Sequence, residues 1–447
     1  MSERLIYYFS KNKCDGNLKL NHILGSKGAN LAEMCNIGIS VPPGFTISTA
    51  VCSHYNDNKL PDQISYLIQN AIEFLNNEVN LKFGDENNPL LLSVRSGSVS
   101  SMPGMLDTIL NVGLNDKTVI GLAKKSGDLF AYDSYRRLIQ MYAHTVLQIE
   151  NSFFEEAIYK KKSVSTSKNE KISDPDIFKE LIDEFKKIVK LHTNKDFPQD
   201  VNEQLYTAIY AVFKSWMNKR AITYRKIHNI PDNLGTAVNV QSMVFGNMSE
   251  NSATGVVFTR NPSTGTKEIF GEFLISAQGE DVVSGTHSPL PLNKMKDLMP
   301  ITHNELEQVC KKLELYYRDM QDIEFTIENG KLWILQTRSG KRSIQSAVKI
   351  ATDMVKEKLI SKEEAITRID HKSFSKLFHP TLESSTNTDI IAYGLPASPG
   401  AATGQVVFTP SDAEQLKKEG KNVINTTNAW LTHASSNYCC MGSHSSS

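Results

Sequence analysis

The chain has 447 residues, enough for about three domains, and its 40% hydrophobic and 22% charged side chains are typical of a globular protein. Its 49 basic and 49 acidic residues give a formal net charge of zero, which excludes a global field favouring nucleic acid or a membrane, so we expect neither as a partner. No apolar run is long enough to span a membrane and the first residues lack the apolar core of a signal peptide, so we expect a cytoplasmic protein.

Strand and helix patterns alternate at the start of the chain, which predicts an α/β lobe over residues 1–114. We expect a helix over residues 27–37, ended by the two prolines that follow at 42 and 43. The apolar run 90–94 is typical of a buried strand. It ends at Arg95, where a loop of small residues begins.

This loop, SGSVSSMPG, is a candidate anion site. Gly97, Ser101 and Gly104 leave backbone amides free to approach an anion. Arg95 at the strand end adds a planar cation suited to bidentate phosphate contact. Because most Gly/Ser loops are only turns, a plain turn is the alternative.

Residues 115–225 are predicted to be mainly helical. Pro175 stands in the first turn of an amphipathic helix whose apolar positions share one face. The Lys/Ser-rich stretch 160–173 before it is expected to be a solvated loop. The apolar positions are Ile177, Phe178, Leu181, Ile182, Phe185, Ile188 and Val189.

Residues 226–340 are predicted to be β-rich, beginning with the runs VNVQSMVF, GVVFTR and KEIFGEFLI. The last two strands form a hairpin around Asn329 and Gly330. A two-residue turn there would pair Glu324 with Leu335 and place an acid among apolar groups.

We favour a different register for this hairpin, with one added loop residue or a bulge. It pairs Glu324 with Gln336 and Asp322 with Arg338, which gathers two carboxylates, an amide and a guanidinium on one sheet face. Oxygen ligands of this kind suit Mg²⁺, which usually keeps waters and bridges phosphates. A solvated strand face with an Asp–Arg ion pair is the alternative. The core side of the hairpin is then expected to receive Trp333 and Leu335.

The remainder of the chain begins with a predicted helical linker over residues 341–389, in which Ser361 and Glu364 have the spacing of a capping box. A Ser/Thr/Asn-rich stretch follows residue 384, and a new domain is expected over residues 390–447. The six cysteines have neither metal-ligand nor disulfide spacing, so we interpret them as free thiols.

Long motifs along residues 1 to about 424 resemble the amino-terminal half of pyruvate, phosphate dikinases in the same order. The loop after Arg95 is similar to the phosphate-dependent branch, whereas water dikinases of the same nucleotide fold carry an RSSA motif there. The motifs are LGSKGANLAEM, SVRSGSVSSMPGMLDTIL, VNVQSMVFGN, FTRNPSTG, AQGEDVVSGTHSP, QDIEF, ILQTRSGKR and GLPASPGAATGQVVFT.

The resemblance implies an α/β (α+β) multidomain chain: an ATP-grasp nucleotide-binding domain with a helical subdomain, then part of a swivelling phosphohistidine domain. It implies that Lys27 and Arg95 hold the triphosphate and that Glu324 and Gln336 bind Mg²⁺. Further nucleotide or phosphate contacts are implied for Glu280, Asp322 and Arg338, and a catalytic role for Arg95 and Arg338.

The residues themselves leave alternatives open at four of these positions. Lys27 is equally typical of a solvated helix, and Glu280 of a surface acid. Gln241 and Met243 belong to a predicted strand, where they either line an adenine pocket through alternate faces of the strand or are core or edge residues.

The implied reaction converts ATP, phosphate and pyruvate to AMP, diphosphate and phosphoenolpyruvate through a phosphorylated histidine. The family's histidine motif, GGMTSHAAVVARGMG, is not intact after Ile424, where Thr432-His433-Ala434 and Met441-Gly442 keep part of its spacing. We expect this Ser/Asn/Cys-rich tail to be disordered and His433 not to accept a phosphoryl group. The pyruvate-binding barrel is also missing from these residues, so pyruvate is a partner only if a barrel is supplied elsewhere.

Three functional hypotheses follow. The first is a dikinase whose ATP-binding part is sound but whose full reaction is incomplete on this chain. The second is an Mg·ATP-binding module that acts with a partner supplying the histidine and pyruvate domains. The third is an inactive relative that serves in association. Oligomeric state is left open by the sequence.

Overall fold

The computed structural model describes residues 4–54, 62–100, 102, 104–165, 174–284, 289–369 and 403–425. Over these residues the chain divides into two compact units: Met1–Ser252 with Thr326–Gln336, and Ala253–Phe325 with Thr337–Ser447. Both helices and sheets are present, as expected of an α/β protein. The boundaries expected at 115 and 226 fall inside the first unit, and the five-part division stays a prediction.

The first unit begins the chain and contains both sheet and helices. Its elements are β1 (Ile6–Phe9), α1 (Asn21–Asn36), β2 (Gly44–Ile47), α2 (Thr49–His54), α3 (Asp62–Val79), β3 (Lys82–Phe83), β4 (Pro89–Leu90), β5 (Leu92–Ser98), β6 (Thr108–Val112), α4 (Thr118–Ser126), α5 (Asp128–Thr145), α6 (Asn151–Ser165), α7 (Pro175–Thr193), α8 (Val201–Ser215), α9 (Lys219–Ile227) and β7 (Thr236–Ser242).

A five-stranded antiparallel sheet organises this unit in the order β1-β2-β7-β5-β6. Strand β7, which follows the helices in sequence, therefore lies in the middle of a sheet begun by the first strands. Val94 and its cross-strand partner Val240 belong to the large apolar core that the helices α5, α7 and α8 complete. Helix α1 packs against β5 and β7.

Helix α7 confirms the prediction from its apolar face. The Asp174 side chain accepts a hydrogen bond from the Asp176 amide, Pro175 stands in the first turn, and Asn194 ends the helix in a left-handed conformation. The expected loop over 160–173 is wrong in its first part, because α6 continues to Ser165. The lysines of this part occupy the last turns of that helix.

The second unit is smaller over its described residues. Its elements, with the tip of the β11–β12 hairpin assigned to the first unit, are β8 (Ala253–Phe258), β9 (Phe270–Ile275), α10 (Gly279–Ser284), β10 (Leu290–Pro291), α11 (Met295–Leu298), α12 (Pro300–Tyr317), β11 (Gln321–Glu328), β12 (Lys331–Ser339), α13 (Ile344–Lys356), α14 (Lys362–Thr367), β13 (Gln405–Val407), α15 (Pro410–Lys418) and β14 (Val423–Asn425).

The strands expected at the start of the β-rich segment are confirmed as β7, β8 and β9, and the second sheet runs in the order β10-β9-β8-β11-β12. The capping serine is also confirmed, since Ser361 Oγ accepts a hydrogen bond from the Glu364 amide at the start of α14. Residues 403–425 form a parallel β-α-β segment. Searching the described residues reveals no helix of sufficient length and apolarity to cross a lipid bilayer.

Candidate functional site

Arg95 lies on the face of the first sheet that helix α1 covers. Its cross-strand partners are Thr108 on β6 and Asn239 on β7, so it lies on an interior strand of the sheet. The side chain is buried, with 9% of its surface exposed. Its Nη2 donates to Gln241 Oε1 at 2.5 Å and to the Leu335 carbonyl at 3.2 Å. The guanidinium is thereby held in one orientation beside Gln241, which is the cross-strand partner of Ser93 on β5.

Helix α1 reaches this face because two glycines allow close approach. Gly25 has a φ of 65°, and a Cβ placed on it would lie 1.7 Å from the Gly97 carbonyl oxygen. A Cβ on Gly97 would in turn lie 3.6 Å from Lys27 Cβ. Lys27 therefore lies beside Gly97, two residues after Arg95, within the first unit. The expectation that Gly97 leaves its backbone amide free for an anion is wrong, because Gly97 lies within β5 and its amide donates to Thr236 Oγ1 at 3.2 Å.

The loop after β5 is tied down at both ends. At its start, Ser26 Oγ on α1 donates to the Ser98 carbonyl at 3.0 Å. At its end, Asp107 accepts from Arg220 Nη2 at 2.5 Å and from Asn218 Nδ2 at 3.4 Å. Burial raises the pKa of Asp107, with Arg220 opposing the rise.

Within the loop, Gly104 is exposed and has a φ of 69°, a conformation that favours glycine. Ser101, expected to offer an amide to an anion, lies outside the described residues.

Gln241 is buried in the central strand β7, and Met243, which follows that strand, is half-buried. Gln241 is 2% exposed, its Oε1 accepts from Arg95, and its Nε2 donates to the Pro42 carbonyl at 2.8 Å. Met243 packs against the large apolar core of the first unit. Gln241 is thus an interior residue of the central strand β7 that orients Arg95, and a contact of either residue with adenine stays a prediction.

The second unit places the hairpin carboxylates beside a cation. Arg338 Nε donates to Asp322 Oδ2 at 2.8 Å, as the favoured register predicts. Burial raises the pKa of Asp322, Arg338 opposes that rise, and the nearby charge of Glu324 adds to it. The negative charges of Asp322 and Glu324 therefore repel each other within this unit.

The alternation of buried and half-buried side chains along β12 shifts by one residue within the strand. Leu332 and Ile334 are buried near the tip, whereas Thr337 is buried near the base and donates to Gln321 Oε1 at 3.0 Å. The shift by one residue indicates a bulge of the kind expected.

The expectation that Trp333 and Leu335 face the core is wrong. Asn329 and Gly330 form a two-residue turn with both φ angles positive, 49° and 80°. This turn sets the register at the tip, so the residues that alternate with Trp333 and Leu335 are the buried ones.

Glu324 and Gln336, the expected metal ligands, are both half-buried. Neither side chain makes a hydrogen bond to another residue in the described part of the chain. Among those same residues no three His, Cys, Asp or Glu side chains form a metal-binding cluster. Carboxylate and amide oxygens are both donor types that Mg²⁺ accepts, and its other ligands are usually water and phosphate.

Two further candidate residues cannot be placed. The backbone of Glu280 lies in α10, but its side chain falls outside the described residues. His433 lies outside them entirely.

The sequence did not point to three residues that fix the elements around Lys27 and Arg95, namely Thr46, Asp107 and Asn239. Asn239 carried a usable signal, since it is a polar residue two positions before Gln241 in an apolar strand and so shares its face. Asp107 carried none, because its partner Arg220 is distant in sequence.

The raised pKa of Asp322 leads to a testable pH dependence. A carboxyl group with a raised native pKa binds its proton more tightly in the folded than in the unfolded chain, so its stabilising contribution is present at low pH and is lost as the pH rises through the native value. We expect Asp322→Asn to lose less stability than the parent between about pH 4 and pH 7 in urea unfolding.

Asp85 supplies a control of opposite sign for that experiment. The amides of Asn88 and Asn87 lower its pKa, so its contribution is gained as the pH rises. Asp85→Asn removes this contribution, so the variant should gain less stability than the parent as the pH rises. Parallel stability curves for the parent and Asp322→Asn would contradict the prediction.

A buried arginine and a half-buried lysine on elements that meet at a glycine are groups suited to binding a polyphosphate. The family model described as pyruvate phosphate dikinase, AMP/ATP-binding domain, matches residues 21–74, 56–305 and 291–359. The chain belongs to this family.

Curated relatives agree with that assignment. Pyruvate, phosphate dikinase of Rhizobium meliloti is 50% identical over 434 residues, covering 94% of this chain and 48% of the relative. The Rickettsia typhi enzyme is 52% identical over 432 residues, covering 94% and 49%. Pyruvate, phosphate dikinase 2 of Zea mays is 48% identical over 427 residues, covering 95% and 48%. The chain thus spans about half the length of the curated relatives it matches.

Proposed function

We propose that this chain binds Mg·ATP as the nucleotide-binding part of a pyruvate, phosphate dikinase with an ATP-grasp fold. The observation that carries the proposal is that Lys27 on α1 lies beside Gly97 on β5, two residues after Arg95. The chain is matched by an AMP/ATP-binding family model. Two cations beside a tethered glycine loop match the charge and the acceptor oxygens of a triphosphate.

The individual roles follow from the chemistry of each side chain. Lys27 acts as a compact charge on the phosphates, while Arg95, held by Gln241, offers a fixed guanidinium. Glu324 and Gln336 would hold Mg²⁺, which when bound neutralises charge that develops on the phosphates. Arg338, 41% exposed in its side chain beside Asp322, remains accessible to a phosphate. A contact from Glu280 is proposed from the resemblance, and contacts from Ser101 and Gly104 are proposed from the backbone amides of the loop.

We extend the proposal to the reaction of a whole pyruvate, phosphate dikinase, because the relatives carry that name. There ATP, phosphate and pyruvate would give AMP, diphosphate and phosphoenolpyruvate through a phosphohistidine. Residues 403–425 are proposed to belong to a swivelling phosphohistidine domain. The chain spans about half the length of these relatives, and the role proposed for these 447 residues is ATP binding.

Calorimetric titration with Mg·ATP tests the binding proposal. We expect saturable binding to the parent, weakened about tenfold or more by Lys27→Ala, by Arg95→Lys and by Glu324→Ala, because each removes a charged or bidentate contact. Thermal unfolding of each variant shows whether the fold is kept.

The matched control is Lys117→Ala, which removes an exposed lysine paired only with Glu86 at the surface. It should leave the affinity unchanged. The proposal fails if the parent shows no saturable binding, or if folded variants at Lys27, Arg95 and Glu324 bind as the parent does.

A further inference from the structure

Asn239 is a fully buried polar residue in the middle of the central strand β7. It lies between two cross-strand neighbours, Thr46 on β2 and Arg95 on β5. Thr46 Oγ1 donates to Asn239 Oδ1 at 2.8 Å, which fixes the orientation of the amide. Nδ2 has no hydrogen-bond partner among the residues that the structure describes. Because a buried amide donor without an acceptor costs free energy, its presence in this strand needs a reason.

Helix α1 rests directly on this amide. A Cβ placed on Gly28 would lie 2.8 Å from Asn239 Oδ1, 2.8 Å from Thr46 Oγ1 and 2.9 Å from Thr46 Cγ2. On β5, a Cβ placed on Gly97 would lie 2.5 Å from Asn239 Nδ2. Asn239 and Thr46 therefore fill the space between the helix and the sheet, and neither glycine can carry a side chain unless they move.

We propose that Asn239 and Thr46 are positioning residues that set the distance between α1 and β5, and thereby the placement of Lys27 relative to Arg95. Lys27 directly precedes Gly28 on the helix, and Arg95 is the cross-strand partner of Asn239. A change in the height of the helix therefore moves one cation against the other. The inference rests on the proposed function, in which these two cations hold the phosphates.

We expect the loss of affinity to be confined to ligands that carry phosphates. Displacing one cation weakens contacts with the triphosphate, whereas adenosine, which has no phosphate, does not depend on the distance between the cations. A general loss of folding would weaken both ligands together.

The variant Gly28→Ala makes this test. Its Cβ must lift α1 or displace the two side chains below it, and alanine raises helix propensity at this position, which favours retention of the fold. We expect the affinity for Mg·ATP to fall about tenfold while that for adenosine changes by less than about twofold. Thr46→Ala combined with Gly28→Ala removes two of the three close atoms and should restore most of the Mg·ATP affinity.

Two further variants complete the design. His22→Ala changes an exposed residue on the same helix and should leave both affinities unchanged. Asn239→Ala removes the side chain that separates α1 from the sheet without introducing a clash, and it should also weaken the binding of Mg·ATP but not that of adenosine. This variant keeps the test decisive if Gly28→Ala does not fold.

Three results would overturn the inference while leaving the proposed function in place. They are unchanged Mg·ATP affinity in folded Gly28→Ala and Asn239→Ala, equal losses for both ligands, or no recovery in the double variant. Absence of Mg·ATP binding by the parent would instead sink the proposed function itself.

Discussion

Replacing Gly25 by alanine should destabilise the first unit by more than about 3 kcal/mol, as the sum of a backbone penalty and a backbone clash. Its φ of 65° and ψ of 167° lie in a region that is open almost only to glycine. The added Cβ would lie 1.7 Å from the Gly97 carbonyl oxygen, which belongs to a sheet strand and cannot rotate away. Helix α1 would have to leave the sheet face to accommodate it.

Gly330 provides the matched control for this substitution. It also has a positive φ, 80°, but no heavy atom lies within 4 Å of the position its Cβ would take. Gly330→Ala should therefore cost only the conformational penalty, about 1–2 kcal/mol.

Urea unfolding of the parent and both variants measures the difference. If Gly25→Ala costs no more than Gly330→Ala, the close approach of α1 to β5 does not occur in solution. We also expect Gly25→Ala to lose Mg·ATP binding at concentrations where the folded fraction is still high, because Lys27 follows the displaced residue by two positions.

The parts of this structure that the sequence predicted are those encoded locally. The apolar face of α7 repeats with helical period and carries its own cap at Asp174, so its neighbours in sequence determine it. The pair between Asp322 and Arg338 follows from strand alternation with one bulge, and the ion pair in the structure agrees with that register. Arg95 was found because it ends an apolar strand and opens a glycine loop.

The parts that the sequence did not predict depend on distant residues. The contact between Gly25 and Gly97 and the hydrogen bond from Arg95 to Gln241 each join segments far apart in the chain. Gln241 was assigned to a nucleotide pocket as one alternative, but its place in the central strand commits both ends of its amide to the protein. The buried face at the hairpin tip was assigned wrongly because a change of phase within β12 is visible only when both strands are in place.

Arg260 is the basis of the second large effect, because it is a fully buried cation that joins three elements of the second unit. Its Nη2 donates to Glu314 Oε1 on α12 and to Glu357 Oε2 after α13, both at 2.8 Å, and its own backbone follows β8. Glu314 is itself buried and otherwise receives only the Thr259 hydroxyl, at 2.7 Å.

We expect Arg260→Met to destabilise the second unit by about 3–5 kcal/mol, because removing one partner leaves a buried carboxylate without its counter-charge. Substituting Glu314→Leu in the same chain should recover much of that loss, since an apolar pair of similar volume needs no counter-charge.

The control is Lys117→Met, whose ion pair with Glu86 has both side chains more than half exposed and should cost less than about 1 kcal/mol. Denaturant unfolding at low and high salt separates the two cases, because ions screen the exposed pair far more than the buried one. A loss for Arg260→Met as small as that for Lys117→Met, or no recovery with Glu314→Leu, would mean that the uncompensated charge of Glu314 does not govern the stability of this unit.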